Sequence, residues 1–282
     1  MTVVGVQIDL DRCQLSLDPV KAADLRDLLL TASCKTRLSK SLLQTVAGRL
    51  VWAARVHCWG RWHIAPFFHA ISSLKGQRHK TRISADLLCD LRWWLNTIST
   101  KANYRPIWLQ SRHVEHIATD SSTTGGGAFH VKGHCFYVNW LLDKPSLSSS
   151  HINIKELAIM NAAVLKYAPL FPGCHLALYT DNMAACHMFN KGYSRNHTAA
   201  AILREIAGCT SRFDCTLSAS NIPGANNHIP DAISRFHQRG QWQRLHSLLL
   251  PRFPFSPPLC EMSPLSYMFL LQLQSKGLNN ST

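Results

Sequence analysis

Acidic side chains are scarce in this 282-residue chain: 16 Asp and Glu stand against 30 Lys and Arg, a formal net charge of +14. An acidic, solvating chain is therefore excluded, and a pI near 9.6 favours a polyanionic partner. Charge of either sign is sparse, at 16% of residues, while 46% are hydrophobic, so the chain can bury a core and global disorder is excluded. Apolar runs such as Leu248–Leu250 and Met268–Leu271 are far too short to span a bilayer, and no membrane partner is expected. No basic segment precedes an apolar stretch where Met1 leads into Thr-Val-Val-Gly-Val-Gln-Ile-Asp, so no secretory leader is expected. The ten cysteines are scattered, with no C-x-x-C pair among them. Zinc of the usual spacing is thereby disfavoured, and reduced, intracellular thiols are expected.

What is present divides unevenly. Net charge is +9 over residues 1–110, +3 over 111–240 and +2 over 241–282. The first segment reads as a short strand, with Val4, Val6 and Ile8 alternating, followed by a helix opened by Pro19. A stronger helix begins near Ser41, with Leu43, Val46, Ala47, Leu50 and Ala54 at helical spacing. Arg49, Arg55, Arg61, Lys75, Arg78, Lys80 and Arg82 follow, interleaved with Trp52, Trp59 and Trp62. Cations beside aromatics suit a nucleic-acid backbone with stacked bases, or equally a tryptophan core under a solvated charged face.

The middle segment alternates in another way. A strand runs into Asp120, a Gly125-Gly126-Gly127 turn follows, and Ala128 to Trp140 reads as two strands meeting near Lys132-Gly133. A helix is expected from Asn153, a fourth strand over Leu176–Tyr179, two helices up to about Ala207, a fifth strand over Thr216–Ile222 and a last helix from about Asn227. The expected fold is α/β, a mixed five-stranded sheet with helices on both faces, preceded by a mainly helical module. Residues 241–282, with five prolines, read as a helix remnant near Trp242–Leu250 and then linker.

Only seven carboxylates lie between 116 and 240, so their placement is informative. Asp120 and Asp181 each follow Thr at the C-terminal end of an apolar strand, where ligands bind in helix-covered sheets. Glu156 falls in the first turn of a helix and Asp231 near the start of the last one. Four converging carboxylates repel unless cations separate them, and oxygen-only ligation suits Mg²⁺ or Mn²⁺. Two such ions about 3.5–4 Å apart can activate a water and stabilise the leaving oxygen of a phosphodiester. Each carboxylate also has an innocent reading: Glu156 in a capping box with Asn153, Asp181 and Asp231 as helix caps, Asp120 in an Asx-turn.

Taken in order, these motifs resemble a known family. Ile117-Ala118-Thr119-Asp120-Ser121-Ser122 with Gly125-x-Gly127-Ala128, then Ile154-Lys155-Glu156-Leu157-Ala158, Leu178-Tyr179-Thr180-Asp181-Asn182 and Pro230-Asp231-Ala232-Ile233-Ser234-Arg235, resemble type 1 ribonuclease H. Ile222-Pro223-Gly224 before the last motif looks like retroelement ribonuclease H, and His151-Ile152-Asn153 is similar to DIRS-like (tyrosine recombinase) retrotransposons. Val4–Asp9, Leu42-Leu43-Gln44 with Gly48 and Leu50, and Gly60-Arg61 resemble the thumb and connection of a reverse transcriptase.

The resemblance implies a thumb/connection-like module (1–110), a ribonuclease H-like domain (111–240) and a C-terminal linker (241–282). It implies hydrolysis of the RNA strand of an RNA–DNA hybrid, recognised by shape and 2′-OH groups. Asp120, Glu156, Asp181 and Asp231 would hold two Mg²⁺ or Mn²⁺ ions. Ser121, Asn182 and Asn227 would orient the metal ligands or the substrate, His228 would stand beside them, and Lys191, Arg195, Arg49, Arg55, Arg61 and Trp59 would contact nucleic acid. A palm and fingers would lie upstream; the chain has no Asp-Asp dipeptide, so no polymerase site is expected in it. The rival readings are an inactive nucleic-acid-binding remnant, a DDE recombinase, whose Glu comes last, and a DEDD exonuclease, which needs Asp-x-Glu on its first strand.

Overall fold

The computed structural model describes residues 2–3, 5–57, 59–99, 104–106, 112–238, 240–252 and 260–263. It divides into two compact units, Met1–Ser111 with Gly192–Ala200, and Arg112–Lys191 with Ala201–Thr282.

The first unit carries more strand than its sequence suggests. β1 (Thr2–Val3), β2 (Val6–Asp9) and β3 (Gln14–Leu17) form an antiparallel meander, and β6 (Tyr104–Pro106) completes a sheet of order β1-β2-β3-β6. One expected strand is thus a hairpin, because Leu15 and Leu17 pair with Ile8 and Val6 across a turn rich in Asp and Arg. Four helices follow: α1 (Pro19–Ser33), α2 (Lys40–Ala53), α3 (Ala65–Ser72) and α4 (Ala85–Ser99). Asp18 and Ser39 cap α1 and α2, their side-chain oxygens accepting backbone N–H groups of the first turn. Leu25 and Leu29 of α1, Leu43, Val46 and Leu50 of α2, and Leu91 and Trp94 of α4 share one core. Trp62 is 2% exposed, and Trp94 is closed off completely with its Nε1–H donating to the His63 carbonyl, so these two tryptophans are core. A separate ribbon pairs β4 (Arg37–Ser39) with β5 (Lys80–Arg82).

The second unit is built on a mixed six-stranded sheet. β7 (Val114–Ser121), β8 (Gly125–His130) and β9 (Cys135–Asn139) are antiparallel neighbours, and β10 (His175–Thr180) and β11 (Thr216–Asn221) add in parallel beyond β7. The short α5 (Trp140–Asp143) follows β9. Then come α6 (Ile152–Tyr167), α7 (Met183–Lys191), α8 (His197–Arg212), α9 (His228–Ser234) and α10 (Gln241–Leu249). β12 (Cys260–Glu261) pairs with β9, so a piece of the segment read as linker extends the five expected strands to six and covers the β9 edge. The rest of that segment beyond Ser263 lies outside the described residues.

Gly125-Gly126-Gly127, read from sequence as a turn, is the start of β8. The physical reason is close approach from both faces. A Cβ on Gly126 would stand 2.6 Å from Trp140 and 3.0 Å from Ile159 of α6, whereas one on Gly127 would stand 2.6 Å from Ile233 of α9. Successive strand residues point to opposite faces, so α6 and α9 cover opposite sides of the sheet. Missing side chains let both helices sit against the strand backbone. No helix among the described residues is long and apolar enough to cross a membrane.

Candidate active site

Parallel pairing of β7 with β10, with Ala118 opposite Tyr179, ends both strands at the same edge. Asp120 and Asp181 therefore emerge side by side, and α6, packed on β7, brings Glu156 against them. One carboxylate oxygen from each of Asp120, Glu156 and Asp181 lies within 4.8 Å of the others. Asp120 and Glu156 are buried and Asp181 is exposed, so the group opens to solvent on one side.

None of these three is accounted for by its innocent reading. The N-cap of α6 is His151, whose ring accepts the Asn153 N–H at 3.2 Å, and Asn153 instead accepts from the Asn182 side-chain amide at 3.0 Å. Glu156 accepts the backbone N–H of Ser121 at 3.1 Å and the hydroxyl of Thr180 at 3.3 Å. The side chain receiving the Ala185 N–H at the start of α7 belongs to Asn182, at 2.9 Å, rather than to Asp181. Asp120 lies in a regular strand and accepts the hydroxyl of Ser234.

Burial drives the electrostatics. Glu156 is pushed up to about 9, chiefly by loss of water, with the charges of Asp120 and Asp181 adding and the Ser121 and Thr180 hydrogen bonds opposing. Asp120 is pushed up to about 6 by the same loss of water; the Ser234 hydrogen bond opposes it and the charges of Asp181 and Asp231 add. Two buried carboxylates that resist ionising beside one another are what a cation would relieve. The donor set is oxygen only, with no thiolate or imidazole in the group, and such a set fits Mg²⁺ or Mn²⁺.

Asp231 does not join the other three. Its Oδ1 accepts from Arg235 Nε at 2.7 Å and its Oδ2 from Arg244 Nη1 at 2.8 Å. Burial raises its pKa, but these two guanidinium hydrogen bonds outweigh burial and hold the carboxyl below its ordinary range. Asp231 nonetheless stands near enough to Asp120 for its charge to be felt there.

The residues expected to orient the site stand in differing surroundings. Ser121 positions Glu156 through its backbone N–H, while its hydroxyl accepts from Trp140 Nε1 at 3.2 Å. Asn227 is fully buried and ties α9 to β7, donating from its side-chain amide to the Thr119 carbonyl at 2.9 Å. His228 is half-buried, with Nδ1 3.3 Å from the Ala225 carbonyl oxygen. Lys191 and Arg195 are exposed.

In the N-terminal unit Arg49, Arg55 and Arg61 are exposed and Trp59 is half-buried, packed edge-on to Trp62 at 6.2 Å. Sequence reasoning missed the alignment of cations on the β4–β5 ribbon, where Arg37 stands opposite Arg82. Beside it a cleft of about 570 Å³ is lined by Lys35, Arg37 and Arg82. Like charges directly opposite each other destabilise a ribbon unless an anion answers them. Ser234 and Arg244 were also missed. Ser234 could have been suspected from its spacing, one helical turn after Asp231; nothing local marks Arg244.

No family model matches the chain, and no curated protein does. Solved structures that it resembles include ribonuclease H domains and a reverse transcriptase. Ribonuclease H1 from the halophilic archaeon Halobacterium salinarum is 16% identical over 43% of this chain and 93% of its own, with a TM-score of 0.34. The N-terminal ribonuclease H domain of a Mycobacterium tuberculosis protein is 13% identical over 48% of this chain and 99% of its own, with a TM-score of 0.35. The foamy viral protease–reverse transcriptase, solved with double-stranded DNA, is 14% identical over 79% of this chain, with a TM-score of 0.29, and this chain spans 38% of its length.

Proposed function

We propose that this chain is a ribonuclease H-type nuclease that hydrolyses the RNA strand of an RNA–DNA hybrid. In this reading it derives from a retroelement reverse transcriptase of the DIRS-like type, and it works inside the cell. Residues 1–110 act as a thumb/connection-like module, 111–240 as the catalytic domain and 241–282 as a tail. A palm and fingers would be separate, upstream parts of the full polyprotein, and no polymerisation is assigned to these residues. The observation that carries the proposal is the convergence of Asp120, Glu156 and Asp181, far apart in sequence, to within 4.8 Å.

Asp120, Glu156 and Asp181, with Asp231, would hold two Mg²⁺ or Mn²⁺ ions. Such ions supply an activated water and charge neutralisation at the leaving oxygen. The chain's own groups do the rest. Ser121 and Thr180 orient the Glu156 carboxylate, and Ser234 orients that of Asp120. Asn182 and Asn153 lock α7 to α6, and Asn227 locks α9 to β7, which fixes the distances among the carboxylates. The hybrid's phosphates would be gripped by Lys191 and Arg195, and by Arg49, Arg55 and Arg61 with Trp59 as a stacking surface.

The test is incubation of the full chain with an RNA–DNA hybrid and Mg²⁺ beside an Asp181→Asn variant. Asp181 is the exposed member of the three, so this exchange leaves the core intact. Cleavage of the RNA strand by the wild type and its loss in the variant, with hybrid binding retained, is expected. Binding without cleavage by either protein would instead identify an inactive nucleic-acid-binding remnant.

A further inference from the structure

We propose that Arg244 is a positioning residue that stands in for a second cation: by occupying Asp231 it limits the substrate-free site to one divalent ion, held by Asp120, Glu156 and Asp181. This rests on the nuclease reading above and concerns how that site is filled.

Among the described residues, Asp231 is the one of the four expected carboxylates with a guanidinium on each oxygen. Its two arginines differ in origin. Arg235 is on the same helix, four residues on, and its charge also reaches Asp120 and Asp181. Arg244 comes from α10, thirteen residues away, and is also 3.3 Å from Gln241 Oε1.

Packing delivers it there. Leu245 and Leu249 of α10 are buried against Ile229, Ile233, Cys135 and Tyr137, which sets the helix beside α9. A neighbour of Leu245 on that helix is thereby held at the flank of the packed face, where Asp231 lies. A planar guanidinium suits a carboxylate at fixed geometry in a way that a lysine ammonium does not.

Cation binding at Asp231 Oδ2 therefore competes with a charge-assisted hydrogen bond of 2.8 Å from a fixed positive charge. Arg244 can yield, because its side chain is 43% exposed and can turn to water or to a phosphate of bound nucleic acid. Asp120 and Asp231 repel one another, and the positive charge that now answers Asp231 is supplied by the protein. Remove Arg244 and that half of the compensation must come from solution.

The experiment measures Mn²⁺ binding to the full chain by titration calorimetry, and by the loss of the free-Mn²⁺ spin resonance signal, without nucleic acid. Wild type is expected to bind one ion and Arg244→Gln two, the second at least tenfold tighter than any second site in wild type. Arg244→Lys is expected to fall between them. The double variant Arg244→Gln, Asp231→Asn should return to one ion, which a merely structural role for Arg244 would not produce. Circular dichroism checks that each variant is folded, and Arg244→Lys carries the comparison if Arg244→Gln is not. Equal stoichiometry and affinity in wild type and Arg244→Gln overturns the assignment. A folded wild type that binds no Mn²⁺ at all overturns the nuclease reading and this inference with it, whereas one ion in both proteins sinks the inference alone.

Discussion

The Ser234 hydroxyl donates to Asp120 Oδ2 at 2.5 Å, joining helix α9 to strand β7 across 114 residues of chain. The same oxygen lies 3.0 Å from the Asp231 backbone carbonyl, one turn back on α9, which holds the hydroxyl at that helix. Ser234→Ala removes the main interaction opposing the upward shift of Asp120. Hydrogen bonds to charged, buried groups are worth about 1.5–3 kcal/mol, and a loss of that order is expected in urea unfolding near neutral pH. Hybrid cleavage should fall by about tenfold or more, since the same bond fixes the carboxylate.

The β8 glycines give a prediction of opposite sign to an ordinary helix glycine. A Cβ on Gly127 would come within 2.7 Å of the Ser234 backbone nitrogen and 2.6 Å of Ile233 Cβ, and neither can move without shifting α9. Gly127→Ala is expected to destabilise by about 1–3 kcal/mol, as overpacking does. Gly208, inside α8, has nothing within 4 Å of the same added atom. Gly208→Ala should therefore stabilise by about 0.5–1 kcal/mol through helix propensity. Paired denaturation curves of the two variants check both signs.

Proton linkage follows from the two raised carboxyls. Asp120, at about 6 against an ordinary 3.8, and Glu156, at about 9 against 4.5, bind protons more tightly in the folded chain than in the unfolded one. Their contribution is fully present below about pH 4, and is lost as pH rises through 6 for Asp120 and through 9 for Glu156. Without divalent ions, these two groups should lower thermal stability between pH 5 and pH 8, against the opposite contribution of buried His57, whose pKa is pushed down to about 4. Mn²⁺ binds the deprotonated groups, so its stabilising effect should be larger at pH 8 than at pH 5. Melting curves at the two pH values, with and without Mn²⁺, test this; a metal effect greater at pH 5 would contradict it.

The basic ribbon predicts a salt response. Lys35, Arg37, Lys80 and Arg82 are exposed and have no acidic partner among the described residues. If they meet phosphates, Arg37→Gln and Arg82→Gln should weaken hybrid binding similarly for all sequences. Each should also lower the slope of log affinity against log salt by about one. Filter binding across a salt series reads both; an unchanged slope would remove the ribbon from the interface.

Much of the second unit was legible in the order of its residues. The period-two and helical apolar patterns located β7, β10, β11, α2 and α6 within a few residues, because burial of one face imposes those spacings. Thr-Asp at the ends of two apolar strands foretold the convergence of Asp120 and Asp181, since parallel neighbours end at one edge. Tertiary structure decided what sequence spacing leaves open. Three consecutive glycines read locally as a turn become a strand, because helices approach its backbone from both sides. Cys260–Glu261 becomes a sixth strand because a distant edge was there to pair with. Asp231 is answered by Arg244 because the apolar face of α10 docks on α9, and that contact is set by packing across the fold rather than by either helix alone.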